Sequence, residues 1–256
     1  MSTPAAVLKL AGSREVTLAW QNDYASTYEV GAGADRCYVK WSPAAKSLDL
    51  EAEAARMTWA APYTPVPRVL AQGADDAGSW LVTAALPGRN AVDDIWIAQP
   101  EIAVRSIGEG LRAMHDSLPV GSCPFSWTAE ERLEACVEAA RGGWEGTGEE
   151  WHEEYAHLTL PQALKLAAGI PPADKLVVCQ GDACAPNTLL TDDGRWSGHV
   201  DLGCLGVADR WADLAVATWS TEWNYGPGWE QVLLDAYGVA RDEERTWYYR
   251  LLWDLG

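Results

Sequence analysis

The 256-residue chain carries 37 acidic against 19 basic side chains, a net charge of −18, which argues against a nucleic-acid partner because a phosphate backbone rewards Lys and Arg. Its 48% apolar content is enough to bury a core as one large domain or two small lobes, and no stretch approaches the length of a membrane span. Lys9 and Gly12 interrupt the opening MSTPAAVLKLAGSR before a signal-peptide apolar region could form, so a cytoplasmic location is expected, and six cysteines without C-x-x-C pairs read as reduced thiols, with no structural metal.

In chain order, Val16, Leu18 and Trp20 alternate with polar neighbours, Gln21-Asn22-Asp23 makes a turn, and Tyr28–Val30 and Cys37–Trp41 continue as strands, which predicts an N-terminal antiparallel sheet. Leu48, Ala52, Ala55 and Trp59 recur at helical spacing behind cap candidates at Ser47-Leu48-Asp49. Pro62, Pro65 and Pro67 end that helix, and Trp80–Ala85 reads as a strand running into Leu86-Pro87-Gly88. Further helices are expected over 99–118, 128–141 and 160–170, then over Ala212–Trp223, Trp229–Tyr237 and Glu243–Leu255. His115, on the first of these, reads as a packed core histidine, and the acidic stretch 142–157 as a solvated loop. Fifteen tryptophans against one phenylalanine should be core or pocket-rim residues; composition gives them no function. The acidic surface suits a polycationic small molecule and serves solubility equally well.

The chemistry concentrates in residues 176–213. A short apolar run, Leu176–Cys179, leads into a loop with Asp182 and, five positions on, Asn187; Asp192-Asp193-Gly194 is a turn signal, and the strand after it ends at Asp201-Leu202-Gly203. An Asp and an Asn in a polar loop are ordinarily turn formers. The joint pattern, D-x-x-x-x-N followed by D-x-G one hairpin later, is the arrangement in which kinases take the proton of an attacking hydroxyl on one Asp and hold Mg²⁺ with the Asn and the second Asp.

GDACAPN at 181–187, SGHVDLGCLGVADRWADLAVAT at 197–218 and YRLL at 249–252 closely resemble the aminoglycoside 3'-phosphotransferases of the protein-kinase-like superfamily, with weaker matches in EAARMTW at 53–59, LPG at 86–88, MHDSLPVGSCPF at 114–125 and EWHEEYAHL at 150–158. The resemblance implies a two-lobed α+β kinase-like fold: an N-terminal nucleotide-binding lobe over 1–85 with an antiparallel sheet and a helix, and a larger, mainly helical lobe over 86–256 for catalysis and substrate. It implies ATP or GTP and Mg²⁺ as cofactors, a cationic small molecule as partner, and an active site in the cleft.

The residue roles follow from the same resemblance. Asp182 becomes the base or orienter, and Asn187 and Asp201 the metal ligands. Lys40, closing the CYVK run, grips the phosphates. Glu53 positions Lys40, with Glu51 the competing choice. The glycine-rich phosphate loop of protein kinases is missing from Asn22–Thr27, so Ser26 and Thr27 are candidates for phosphate contacts, and backbone groups at 83–88 for adenine. Glu149, Glu150, Glu153 and Glu154 would meet substrate ammonium groups, joined by Asp254 and the terminal carboxylate of Gly256.

Departures from the family pattern fall near the same places. Gln180 stands where the family has His, Cys204 where an Arg follows D-x-G, Trp219-Ser220 where an Arg-Asp pair is usual, and Trp253 where an acidic residue lies near the terminus. The reaction that the resemblance implies is transfer of the γ-phosphoryl group to a hydroxyl of an aminoglycoside, with the 3'-hydroxyl the expected position. A kinase for another hydroxylated antibiotic or metabolite would account for the lost carboxylates, and a non-catalytic nucleotide-binding homologue for the altered catalytic loop.

Overall fold

In the computed structural model, which describes residues 3–46, 48–144 and 151–256, the chain divides into two compact units, one of Met1–Pro87 with Gly198–Gly203 and one of Gly88–Ser197 with Cys204–Gly256.

The first unit is built on an antiparallel sheet of β1 (Val16–Gln21), β2 (Ser26–Val30), β3 (Cys37–Pro43), β4 (Val69–Asp75) and β5 (Gly78–Ala84), in the order β1-β2-β3-β5-β4. Alternation does its expected work in β2, whose Ser26, Tyr28 and Val30 are buried, and in β3, where Val39 joins Tyr28, Val30 and Val82 beneath α1 (Ala5–Ala11). It fails in β1, where Leu18 and Trp20 stay about half exposed. Helix α2 (Leu50–Ala60) starts at Asp49, whose side chain accepts the Ala52 N–H at 2.8 Å, and it buries Leu50, Glu53, Ala54, Met57 and Ala60 along one stripe. Glu53 is the charged member of that stripe. A carboxylate at 4% exposure requires a partner.

The second unit is mainly helical: α3 (Asp94–Ile97), α4 (Pro100–Ser117), α5 (Ala129–Arg141), α6 (Leu160–Ala167), α7 (Trp211–Tyr225), α8 (Glu230–Tyr237) and α9 (Glu243–Asp254). Short strands thread between them. β6 (Arg89–Asn90) and β8 (Thr188–Leu190) pair antiparallel, β9 (Trp196–His199) extends their sheet, and β7 (Leu176–Cys179) pairs antiparallel with β10 (Gly206–Asp209). Every residue of α7 from Trp211 to Thr221 is buried, so this helix forms the centre of the unit, with Ile107, Leu111, Leu233, Leu234 and Tyr237 of α4 and α8 in the same core. One acid, Asp213, lies in that buried run. All six cysteines are free, and among the described residues no helix is long and apolar enough to cross a membrane.

Candidate active site

The loop after β7 takes its shape from α7. Asp213 accepts the Gln180 N–H on Oδ2 at 2.6 Å and the Gly181 N–H on Oδ1 at 2.9 Å, so two consecutive backbone donors that leave the end of the strand are both satisfied by one buried carboxylate. Gly181 is needed there. Its φ is +93°, and a Cβ on it would lie 2.3 Å from the Cys204 carbonyl oxygen. Gln180 turns its Oε1 to the Asp182 N–H at 2.6 Å. Farther along, Ala185 N–H donates to Ser220 Oγ at 2.9 Å and Asn90 Nδ2 to the Pro186 carbonyl at 2.6 Å.

Within this frame Asn187 Nδ2 donates to the Asp182 carbonyl at 2.8 Å and to Asp182 Oδ2 at 3.0 Å. The amide thereby fixes the rotamer of the carboxylate, and its own Oδ1 lies outside the pair. A half-buried, oriented carboxylate can accept a proton from a hydroxyl placed against it.

His115 is buried in the core of α4, and it also bears on the loop. Its Nε2 lies 2.9 Å from Asp213 Oδ2 and its Nδ1 2.9 Å from the Tyr237 hydroxyl. Burial pushes the Tyr237 phenol up to about 12, so it remains an O–H donor, which suits Nδ1 as the acceptor and Nε2 as the donor to Asp213. His115, Cys179 and Asp213 bring three possible metal ligands within 4.8 Å of one another. The imidazole nitrogens and carboxylate oxygens of that group are already hydrogen-bonded, and it is fully buried, so its geometry serves the loop and not an ion.

The other constellation lies in the first unit. Lys40, in the central strand β3, places Nζ 2.8 Å from Glu53 Oε2 and 2.8 Å from Asp201 Oδ1. Glu53, and not the exposed Glu51, is the α2 carboxylate that reaches it. Burial works against the charged ammonium, but Asp201 and Glu53 outweigh it and hold the Lys40 pKa above the ordinary lysine value. Burial likewise pushes the Glu53 carboxyl up, with Lys40 pulling it back. Asp201 has φ of +57°, the one described non-glycine residue with positive φ, a strained conformation of the kind found where a side chain must be aimed.

Ser26 and Thr27 open β2 instead of forming the turn. Asn22 makes that turn, its Oδ1 accepting the Tyr24 and Ala25 N–H groups at 2.8 Å each. Thr27 is the register partner of Lys40 across the sheet. Of the acidic positions, Asp254 Oδ2 accepts the His152 N–H at 2.9 Å, which brings the end of α9 to the 152–154 loop. Glu153, Glu154 and Gly256 are exposed, and Glu149 and Glu150 lie outside the described residues. The features that sequence reasoning missed are Asp213 and its bonds to the loop, because an acid in the first turn of a helix carries no signal of its own in the sequence.

Fold and site together define a kinase-like α+β protein. Residues 18–248 match the phosphotransferase enzyme family, and the chain belongs to that family. It is 39% identical over 247 residues to the aminoglycoside 3'-phosphotransferase of Streptomyces fradiae, covering 89% of this chain and 90% of the relative. It is 35% identical to the streptomycin 3''-kinase of Streptomyces griseus, covering 83% and 82%. Among solved structures it is similar to aminoglycoside phosphotransferase APH(3'')-Id from Streptomyces rimosus in complex with ADP and streptomycin, with a TM-score of 0.79 at 28% identity over 98% of this chain and 97% of that one.

Proposed function

We propose that the protein transfers the γ-phosphoryl group of a nucleoside triphosphate to a hydroxyl of an aminoglycoside. The observation that carries this reading is the Asp182 carboxylate, oriented by the Asn187 amide at 3.0 Å in a loop anchored on Asp213. Asp182 is the group against which the acceptor hydroxyl is aligned, and its carboxylate takes the proton as the oxygen attacks. Lys40, held cationic by Glu53, is the phosphate contact, a pairing that binds and orients the nucleotide. The relatives named for 3'- and 3''-phosphorylation of aminoglycosides, and the neighbour solved with ADP and streptomycin, support the same acceptor class.

Mg²⁺ suits each of two side chains taken by itself. Asn187 Oδ1 and the Asp201 carboxylate are hard oxygen donors, and Asp201 already accepts a cation, the Lys40 ammonium, at 2.8 Å. When bound, the ion supplies neutralisation of phosphate charge; positioning of the hydroxyl falls to Asp182. A cytoplasmic location belongs to the same proposal, because nucleoside triphosphate is supplied there. The test is ADP release measured with nucleotide, Mg²⁺ and a panel of aminoglycosides, with mass analysis of the product. A protein that binds Mg²⁺-nucleotide yet phosphorylates none of the panel would refute the reading.

A further inference from the structure

The α7 segment that anchors the catalytic loop also carries indoles. Ser220 Oγ accepts the Ala185 N–H at 2.9 Å, and Asn224 Nδ2 donates to the Ser220 carbonyl at 2.8 Å and to its Oγ at 3.1 Å. The residues just before these anchors are Trp219 and Trp223, one turn apart, with ring centroids 5.1 Å from each other. Trp253 of α9 completes the group, 5.5 Å from Trp223 and 6.1 Å from Trp219.

The three indoles are not equivalent. Trp219 is buried to 1% exposure as the floor, with the His152 ring edge-on at 4.4 Å, whereas Trp223 keeps 44% of its surface in water. Leaving an indole exposed is unfavourable at about 25 cal/mol per Å² of apolar surface, and a ligand that covered it would recover that energy. Acidic groups flank the patch. Asp254 follows Trp253 and bonds the His152 N–H, and the exposed Glu154 lies two residues beyond His152.

An aromatic surface edged with carboxylate is complementary to a cation, and two kinds of cation answer differently to it. An ammonium is a compact, strongly hydrated charge best met by several carboxylates, whereas a guanidinium is planar, weakly hydrated and stacks on indole faces. This chain already uses the second chemistry. The Arg250 guanidinium lies 5.4 Å from the Trp219 ring centroid, and that of Arg132 lies 5.1 Å from Trp127.

We propose that Trp223, backed by Trp219 and Trp253, is the recognition surface for the phosphoryl acceptor, and that it selects a guanidinium-bearing hydroxylated ligand over one carrying ammonium groups alone. Naming that ligand the acceptor rests on the phosphotransfer reading. Its binding does not, so the test is made without nucleotide.

Calorimetric titration of the full chain with streptomycin, which bears guanidinium groups, and with kanamycin, which bears only ammonium groups, reads the preference directly. Streptomycin should bind the wild type more tightly, and Trp223→Ala should weaken streptomycin about tenfold while leaving kanamycin within about twofold. Trp223→Phe, which keeps a smaller π-face, should fall between, and it keeps the test readable if the alanine variant does not fold. Equal or tighter binding of kanamycin by the wild type, no binding of streptomycin, or a streptomycin affinity indifferent to both variants overturns the proposal. Streptomycin phosphorylated equally well by wild type and Trp223→Ala would remove the indole surface and leave the phosphotransfer reading standing. Trp223-dependent streptomycin binding without transfer would do the reverse.

Discussion

The loop around Asp182 and the triad around Lys40 are held by different physics. In the loop, consecutive backbone N–H groups end on the buried Asp213, and amides from Gln180 and Asn187 fill in around Asp182. The Lys40 triad instead balances two carboxylates on one ammonium, and the carboxylates are unequal: the Glu53 side chain is 5% exposed and that of Asp201 is 39% exposed. Backbone hydrogen bonds specify the loop, so a variant there should change chemistry. Charge balance specifies the triad, so a variant there should change stability in a way that titrates. Glu53 is the buried partner of Lys40, and Asp201 the more exposed one.

The largest effect tests the loop half of this contrast. Asp182→Ala should lower kcat by about 10²–10⁴ while calorimetric affinity for Mg²⁺-nucleotide is retained. Unchanged turnover would remove Asp182 from the chemistry. His115→Phe comes next, because it strips one charge-assisted bond from Asp213 without touching the loop itself. A loss of about 1.5–3 kcal/mol in urea unfolding is expected, together with a kcat about tenfold lower at unchanged KM for nucleotide. His115→Asn, which can still donate to Asp213, should recover part of kcat; a variant pair equal in kcat to the wild type would show that His115 is packing alone.

This contrast also explains what the sequence revealed. Asp182, Asn187 and Asp201 could be picked out as candidates because their spacing is short-range, and α2, α4, α5 and the closing helices were legible because long apolar periods survive in a linear reading. The supports were not legible. Asp213 sits in ADLAVAT as an unremarkable first-turn acid, and only the packing that buries α7 on all sides makes it an anchor. β4 was missed because VLAQGAD is mostly exposed and interrupted by Gly73, and β10 because four residues, GVAD, carry no period. Ser26 and Thr27 were put forward as phosphate contacts from the resemblance, and that they open β2 was not legible, because it depends on Asn22 closing the turn before them.

Lys40→Met sharpens the triad half. It leaves the Glu53 carboxyl buried without its ammonium, and the group responds by holding its proton more tightly, since burial already pushes its pKa up. A carboxyl whose folded-state pKa is raised contributes stability at low pH that is lost as pH climbs through the folded value. Destabilisation of about 1–3 kcal/mol is therefore expected at pH 8 and less at pH 5, with weakened Mg²⁺-nucleotide binding. A pH-independent loss would mean that Glu53 is not the group left behind.

The smallest effect concerns Asp254, at the edge of the indole group. Its carboxyl is pushed up to about 6, by burial first and against the His152 N–H that favours the ionised form. With an ordinary value of 3.8 in the unfolded chain, ionisation opposes folding between those values, and the penalty is complete above pH 6. Asp254→Asn keeps an oxygen for the His152 N–H and removes the charge. It should raise the melting temperature at pH 8, and the gain should vanish as pH falls toward 4. Because the group is only half-buried, solvent screening should hold the gain to about 2 °C or less. The same variant should bind a cationic acceptor more weakly, with an affinity that no longer rises with pH through 6. A carboxylate kept where it opposes folding is a reason to look there for a ligand, since sites that serve binding are where stability is commonly given up. A melting temperature unmoved at pH 8, alongside unchanged acceptor binding, would make Asp254 an ordinary cap on the end of α9.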